Sequence, residues 1–321
     1  MTRTGEPLES AVNPAPALAG LSRRGLASPV RDYIALTKPR ITWLILMSAG
    51  IGYFFGLPGA AGWWEFLKSV DYAALFHTIA GTGLVASGTA ALNQWYERAA
   101  DAQMRRTRNR PLPAGRISAN GAFAFGIALS IAGFVELWKG VNLLSACIAA
   151  FTLATYLLLY TPLKQRTWWS TTIGAIPGAM PPLIGYAAAS GELTRQAWVL
   201  AAILFLWQFP HFYSIAWLYK EDYARAGIRM LPVVEPDGRS TSRQIVVYAM
   251  ALIPASLMPG LMGMSGAVYS IGALLLGIWF LHSGVRVAFD RTSVRARKVL
   301  ISSVLYLPMI YGLMLLDRPG L

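Results

Sequence analysis

Charge is scarce in this chain. Only 13% of its 321 residues are Asp, Glu, Lys or Arg, while 55% are apolar. A soluble domain needs more charge to cover its surface; a polytopic membrane protein does not. Cysteine is almost missing too. The one thiol, Cys147, lies inside an apolar run, which excludes a disulfide framework and a Cys-based metal centre. Acids are few: 15 Asp and Glu stand against 28 Lys and Arg, a net charge of +13. The basic residues sit between apolar runs rather than on one polar domain, so nucleic-acid binding is a poor explanation for them. There is no convincing internal repeat, and the acids cluster toward one end of the apolar runs. A transporter, the non-enzymatic alternative, would show repeats and ionisable residues at mid-membrane.

Apolar length is what the chain does have. Residues 1–30 are rich in Pro, Ala, Ser and Gly without amphipathic period and are expected to form a disordered tail. Nine apolar stretches follow, near 41–57, 72–92, 119–138, 142–160, 170–189, 197–217, 245–261, 265–285 and 299–316, each close to the ~20 residues that span a bilayer. The predicted fold is all-α: a domain over 31–321 with nine transmembrane helices in a bundle around a central cavity that faces the cytoplasm. Thr37 is the expected N-cap of the first, with Pro39 in its first turn. The fifth carries Pro177, Pro181 and Pro182 among glycines and is expected to be kinked or broken. With nine spans, all of the 28 Lys and Arg except Lys68, Lys139, Arg195 and Arg318 fall on one side. The positive-inside rule makes that side cytoplasmic, with the N-terminus inside and the C-terminus outside.

The polar segment from Asn93 to Ser118 organises the rest. Asn93, Glu97 and Asp101 recur at i, i+4 and i+8, so they share one helical face. Arg98, Arg105, Arg106, Arg108, Arg110 and Arg116 surround them, and Pro111 and Pro113 end the helix. Two carboxylates and an amide beside cations suit a divalent metal with a diphosphate, because Mg²⁺ prefers a few carboxylates plus substrate phosphates. Positive-inside charge alone explains the arginines but not the shared face of the acids. A second segment runs from Trp207 to Pro232. His211 and Asp222 are eleven residues apart and share a face if the helix is continuous, although Pro210 is placed to bend it. A buried His211 bonded to backbone, and surface ion pairs for Glu221 and Asp222, are the plainer readings of each alone. Lys164 and Arg166 close the fourth stretch, as snorkelling anchors or as a phosphate clamp. Trp95, Tyr96, Trp207, Phe209, Phe212, Tyr213, Trp217 and Tyr219 flank the two acidic segments, either as core or as the lining of a flat-ligand pocket that shields a carbocation. His77 and His282 are read as structural.

Asn93-x3-Glu97-x3-Asp101 resembles the first aspartate-rich motif of the UbiA-type intramembrane prenyltransferases, with Glu97 where that family more usually has Asp. Met104-x-Arg106-Thr107-x-x-Arg110-Pro111-Leu112 and Tyr160-Thr161-Pro162-Leu163-Lys164 are similar to its heme-modifying branch. So are Gly178-Ala179-x-Pro181-Pro182-Leu183-Ile184-Gly185, and Pro210-His211-Phe212 followed by Asp222-Tyr223-x-x-Ala226-Gly227-Ile228. The resemblance covers about residues 33–316. Glu221-Asp222 and Tyr219 replace the multiple aspartates typical of quinone-pathway relatives, which favours the heme branch over a symmetrical two-metal site. The resemblance implies farnesyl diphosphate held on Mg²⁺ through Asn93, Glu97, Asp101 and Asp222, with Arg40, Arg110, Lys164, Arg166 and Lys220 neutralising the leaving group. It implies capture of the farnesyl cation by a vinyl group of heme b and a water quench that leaves a hydroxyethylfarnesyl chain. Heme b is then a substrate rather than a permanent cofactor, and His211 is a candidate for its iron. The implied surroundings are the lipid bilayer of a bacterial inner membrane, or alternatively the mitochondrial one, with a heme A synthase or terminal oxidase assembly factor as partner. The competing enzyme is a UbiA-type prenyltransferase acting on an aromatic or quinone precursor.

The charge partition has a direct test. Reporters fused at residues 105 and 235 should read cytoplasmic, and reporters at residue 193 and the C-terminus exterior; a cytoplasmic C-terminus would remove the nine-span arrangement.

Overall fold

The computed structural model describes residues 29–59 and 63–320. All but the last two residues of the expected tail lie outside that range, and those two, Pro29 and Val30, open a short helix rather than continue a tail. The described residues hold helices and turns and no strand. In chain order the helices are α1 (Pro29–Leu36), α2 (Pro39–Gly56), α3 (Trp63–Ser69), α4 (Tyr72–Gln103), α5 (Ala119–Gly140) and α6 (Leu143–Ala154). A π-helical turn over Thr155–Tyr160 leads into α7 (Thr161–Leu163), followed by α8 (Ser170–Gly178), α9 (Pro181–Ser190) and α10 (Arg195–Leu218). The chain ends with α11 (Lys220–Arg225), α12 (Leu231–Val234), α13 (Arg239–Leu261), α14 (Ala267–Phe289) and α15 (Ser293–Leu316).

Among the described residues, seven helical segments are long and apolar enough to cross a membrane: α4, α5, α6 through α7, α10, α13, α14 and α15. The chain is a multi-pass membrane protein. The other two apolar stretches take different forms. The first is the 18-residue α2, whose start includes Pro39 and Arg40. The fifth is split into α8 and α9 around Ala179 and Met180, with Pro181 and Pro182 opening the second half. Pro has no amide to continue the ladder, so the break falls where the paired prolines stand.

Local chemistry fixes the helix starts. Asp71 caps α4 by accepting the amides of Ala73 and Ala74, both at 3.0 Å. Ser118 caps α5 and Asn142 caps α6 in the same way. Thr37 does not cap α2. Its hydroxyl donates back to Ile34 at the end of α1, and Lys38 stands at the cap position in a left-handed conformation, φ 48° and ψ 61°.

The bundle has two chemically distinct ends. At one end, here called the basic face, α1, the 104–118 loop, the 164–169 loop and α11 meet. At the other, Arg318 donates to the carbonyls of Phe54 and Leu57, and Asp317 receives the amide of Tyr269. His77 there pairs with Glu136 at 2.8 Å, away from the basic face.

Small residues let the helices touch. A Cβ built on Gly185 of α9 would lie 1.8 Å from the Ala49 carbonyl oxygen of α2, and one on Gly52 would lie 2.0 Å from the Pro182 carbonyl oxygen. Without a strong hydrophobic drive between helices in lipid, such close backbone approach is what packing gains. Gly185→Leu should therefore cost at least about 1–3 kcal/mol of stability. Gly50, with nothing within 4 Å of its built Cβ, should tolerate Ala. Thermal unfolding of both variants in detergent checks the contrast, and equal melting temperatures would contradict it.

Candidate active site

α4 supplies a ladder of ligands. Asn93, Glu97 and Asp101 rise along one face over about 12 Å. Each meets a cation carried by a different part of the chain. Lys38, between α1 and α2, donates Nζ to Asn93 Oδ1 at 3.1 Å. Lys164, at the end of α7, pairs with Glu97 Oε1 at 2.7 Å. Arg110, in the loop after α4, pairs with Asp101 Oδ2 at 2.7 Å. Asn93 and Asp101 are each 1% exposed, so these polar groups are out of water and depend on one another.

Electrostatics follow from that crowding. Burial, with the Arg110 charge nearby, brings the Lys38 ammonium down to about 7. Burial also pulls on Lys164, but Glu97 and the neighbouring tyrosines outweigh it and hold Lys164 well above its ordinary value. The left-handed backbone at Lys38, worth about 1–2 kcal/mol of strain in an L-residue, is the conformation that turns its side chain onto α4.

The π turn sets the opposite wall. Pro162 has no amide to reach Leu158, and the Thr161 amide bonds Tyr156 five residues back. The same Thr161 hydroxyl donates to Tyr156 O at 2.8 Å and accepts from Asn93 Nδ2 at 3.4 Å. Tyr156 and Tyr160 thereby flank Lys164, whose Nζ lies 5.9 and 4.3 Å from their ring centroids.

A divalent cation fits this donor set. The ligands are all oxygens, and Asp101 Oδ1 is buried without a hydrogen-bond partner, a state that asks for an explanation. No three His, Cys, Asp or Glu among the described residues gather as a self-sufficient metal site. Such a donor set would suit Mg²⁺ only if phosphate oxygens completed its coordination, because Mg²⁺ is commonly held by one or two carboxylates plus substrate phosphates. Below Lys38 and Tyr156 lies an apolar cavity of about 150 Å³ lined by Ile41, Ile45, Val85, Ala86 and Ile184.

Other expected residues are dispersed. Both Asp222 oxygens are taken up by the amides of Arg105 and Arg106, at 3.4 and 3.2 Å, and by the Arg225 guanidinium. Asp222 thus ties α11 to the loop after α4, apart from the ladder. Arg40 and Arg166 are exposed, with no ion pair among the described residues. Lys220 lies over Trp217. His211 Nδ1 meets Ser303 Oγ at 2.8 Å, and its ring stacks on Trp207. The expected common face of His211 and Asp222 is not formed, because the helix breaks at Tyr219 rather than bending at Pro210. Nor do the eight aromatics form one lining. Phe209 and Tyr213 are core, Trp95 packs on Phe123, and Tyr96 is exposed.

Lys38, Tyr156, Tyr160 and Thr161 join the site through contacts that the spacing of the acids does not point to. Their signals in the chain are two: Lys38-Pro39 at a membrane entry, and Tyr160-Thr161-Pro162 before Lys164.

An all-helical membrane bundle with a buried, cation-paired ladder of oxygen-bearing side chains at one end is what an intramembrane prenyl-transfer class would need. The UbiA prenyltransferase family model matches residues 41–307, and the chain belongs to that family. It is 76% identical to a protoheme IX farnesyltransferase of Solibacter usitatus, over 91% of this chain and all of that one. A protoheme IX farnesyltransferase of Koribacter versatilis is 47% identical over 92% of this chain and 96% of its own. The fold is also that of digeranylgeranylglyceryl phosphate synthase, with TM-score 0.74 and 17% identity over 91% of this chain and 99% of that one. A UbiA homologue from Archaeoglobus fulgidus bound to GPP and Mg²⁺ superposes with TM-score 0.58 and 15% identity, over 88% of this chain and 99% of that one.

The Glu97–Lys164 pair generates a stability test. Glu97→Gln leaves a buried ammonium without its counter-charge and should cost about 1–3 kcal/mol. Adding Lys164→Met should restore most of that loss without restoring activity. A double variant no more stable than the single one in thermal unfolding would mean the two side chains are not coupled.

Proposed function

We propose that the chain transfers the farnesyl group of farnesyl diphosphate to a vinyl group of heme b, with addition of water, releasing diphosphate. The observation that carries this is the cation-paired ladder at the mouth of an apolar cavity, in a chain 76% identical to a protoheme IX farnesyltransferase. The bilayer-embedded fold suits a reaction between two apolar substrates. The basic face lies in the cytoplasm of the bacterial inner membrane on the positive-inside rule.

The chain's own groups act as follows. Asn93, Glu97 and Asp101 would hold Mg²⁺, and Lys38, Lys164 and Arg110, now paired with them, would turn to the diphosphate oxygens. The metal supplies Lewis-acid stabilisation of the charge that grows on the leaving group. The cations add to it in a site shielded from water. The allylic C1–O bond breaks and its electron pair leaves with diphosphate. The apolar cavity takes the near part of the farnesyl chain, and the Tyr156 and Tyr160 faces attract the positive charge at C1. The terminal vinyl carbon of heme b then forms the new C–C bond with C1. Positive charge moves to the vinyl carbon next to the ring, where water adds and loses a proton. His211 remains the candidate for the heme iron. Asp222 positions the loop that carries Arg110, and metal binding by Asp222 would first require release of Arg225. Arg40 and Arg166 act at the rim.

Membranes carrying the protein, given labelled farnesyl diphosphate with heme b or 4-hydroxybenzoate, test the reading. Hydroxyethylfarnesyl heme should appear by chromatography and mass, vanish with a chelator and return with Mg²⁺. Asp101→Asn should lower turnover at least about 100-fold, the scale of losing one preorganised charge contact. Glu97→Asp should be far milder. Prenylated benzoate without farnesylated heme would overturn the proposal in favour of the aromatic acceptor.

A further inference from the structure

One cavity on the basic face has no part in the steps above. It has a volume of about 540 Å³ and lies where the 105–106 loop, the end of α10, α11 and Ser293 of α15 meet. Arg105, Arg106 and Lys220 line it, and none of the three has an ion pair among the described residues. Two of them are shelved on aromatic rings of the same wall. The Arg106 guanidinium lies 5.2 Å from the Tyr219 ring centroid, and Lys220 Nζ lies 5.4 Å from that of Trp217. Of the two acids present, Asp222 is closed off by backbone amides and Arg225, leaving Glu221 alone and exposed. An aromatic wall with surplus cations at its rim recognises a flat apolar molecule that carries carboxylates along one edge.

We infer that this cavity receives the two propionate carboxylates of the tetrapyrrole acceptor on Arg105, Arg106 and Lys220. The inference rests on the heme reading of the reaction. Depth supports it. The contact of Asp222 with the amides of Arg105 and Arg106 puts α11 and the end of α4 at one level. Asn93 lies eight residues inward from Asp101, about 12 Å. On the other wall, Leu218 lines the cavity. His211, seven residues earlier on the same face of α10, lies about 10 Å inward. In protoheme the vinyl and propionate groups occupy opposite edges of the ring. Propionates held at the rim therefore bring the vinyl edge to the depth of Asn93 and the mouth of the apolar cavity. A neighbouring basic cavity of about 510 Å³ beside Arg31 is the obvious rival. Arg106 lines both cavities, so the two are told apart by their other cations. In the rival, apart from Arg31, these are committed: Arg116 to Asp32, and Lys38 and Arg110 to the ladder.

The full chain, purified in detergent, is titrated with protoheme and with its dimethyl ester by Soret absorbance. The parent protein should bind protoheme at least about tenfold more tightly than the ester, the scale of one charge-assisted hydrogen bond. Arg105→Ala/Lys220→Ala should erase that preference while leaving ester affinity unchanged, and Arg31→Ala should preserve it. A double variant that keeps the preference, or that weakens both ligands equally, overturns the assignment. Loss of the preference in Arg31→Ala moves the carboxylates to the rival cavity and overturns it as well. A parent protein that binds neither ligand and makes no farnesylated heme removes the heme reading itself, an outcome distinct from the others.

Discussion

Three oxygen-bearing side chains on one face of α4, each matched to a cation from elsewhere in the chain, hold the basic face together. Lys38, Lys164 and Arg110 come from segments 55, 67 and 9 residues away from their partners. Each pair is buried or nearly so, where an unmatched charge is costly. Folding therefore has to bring the α1–α2 hinge, the end of α7 and the loop after α4 to one line. The tertiary structure of this end is largely the solution to that electrostatic constraint.

The surrounding structure serves that line. The π turn over Thr155–Tyr160 and the missing amide of Pro162 turn Thr161 and two tyrosines toward α4. α1 covers the ladder from the side, with Leu36 fully buried, Gln94 donating to its carbonyl and Asp32 bound to Arg116. Asp222 pins the loop that carries Arg110 by accepting its backbone amides. The apolar cavity begins where Lys38 and Tyr156 end. Polar and apolar halves of the substrate thus meet surfaces built from the same few helices.

The parts that could be read from the chain are those with a period. The i, i+4, i+8 spacing found the ladder, and apolar run length found the helices. Paired prolines located the gap between α8 and α9. What escaped depends on contacts between distant segments or on backbone states without a composition signal. Nothing in Thr37-Lys38-Pro39 announces that a lysine adopts φ 48°, and its partner lies 55 residues on. The His211–Asp222 face failed for a related reason. Pro210 looks like the breaker, yet α10 runs through it, with Ser214 donating to its carbonyl at 2.6 Å. The break comes at Tyr219, where turning α11 lets Asp222 find the Arg105 and Arg106 amides. Neighbouring aromatics along the chain likewise divided between core and surface, because burial is decided by helices that local sequence does not name.

The π turn also makes this segment a phase shifter. A π-helical turn accommodates one residue more than an α-turn, so everything C-terminal to it is offset by about one residue, roughly 100° of rotation, from a regular helix. Lys164 faces Glu97 only with that offset in place. The length of Thr155–Tyr160 is accordingly as constrained as any of its side chains. A one-residue deletion there would regularise the helix, keep every catalytic residue in the sequence, and still aim the lysine away from its partner.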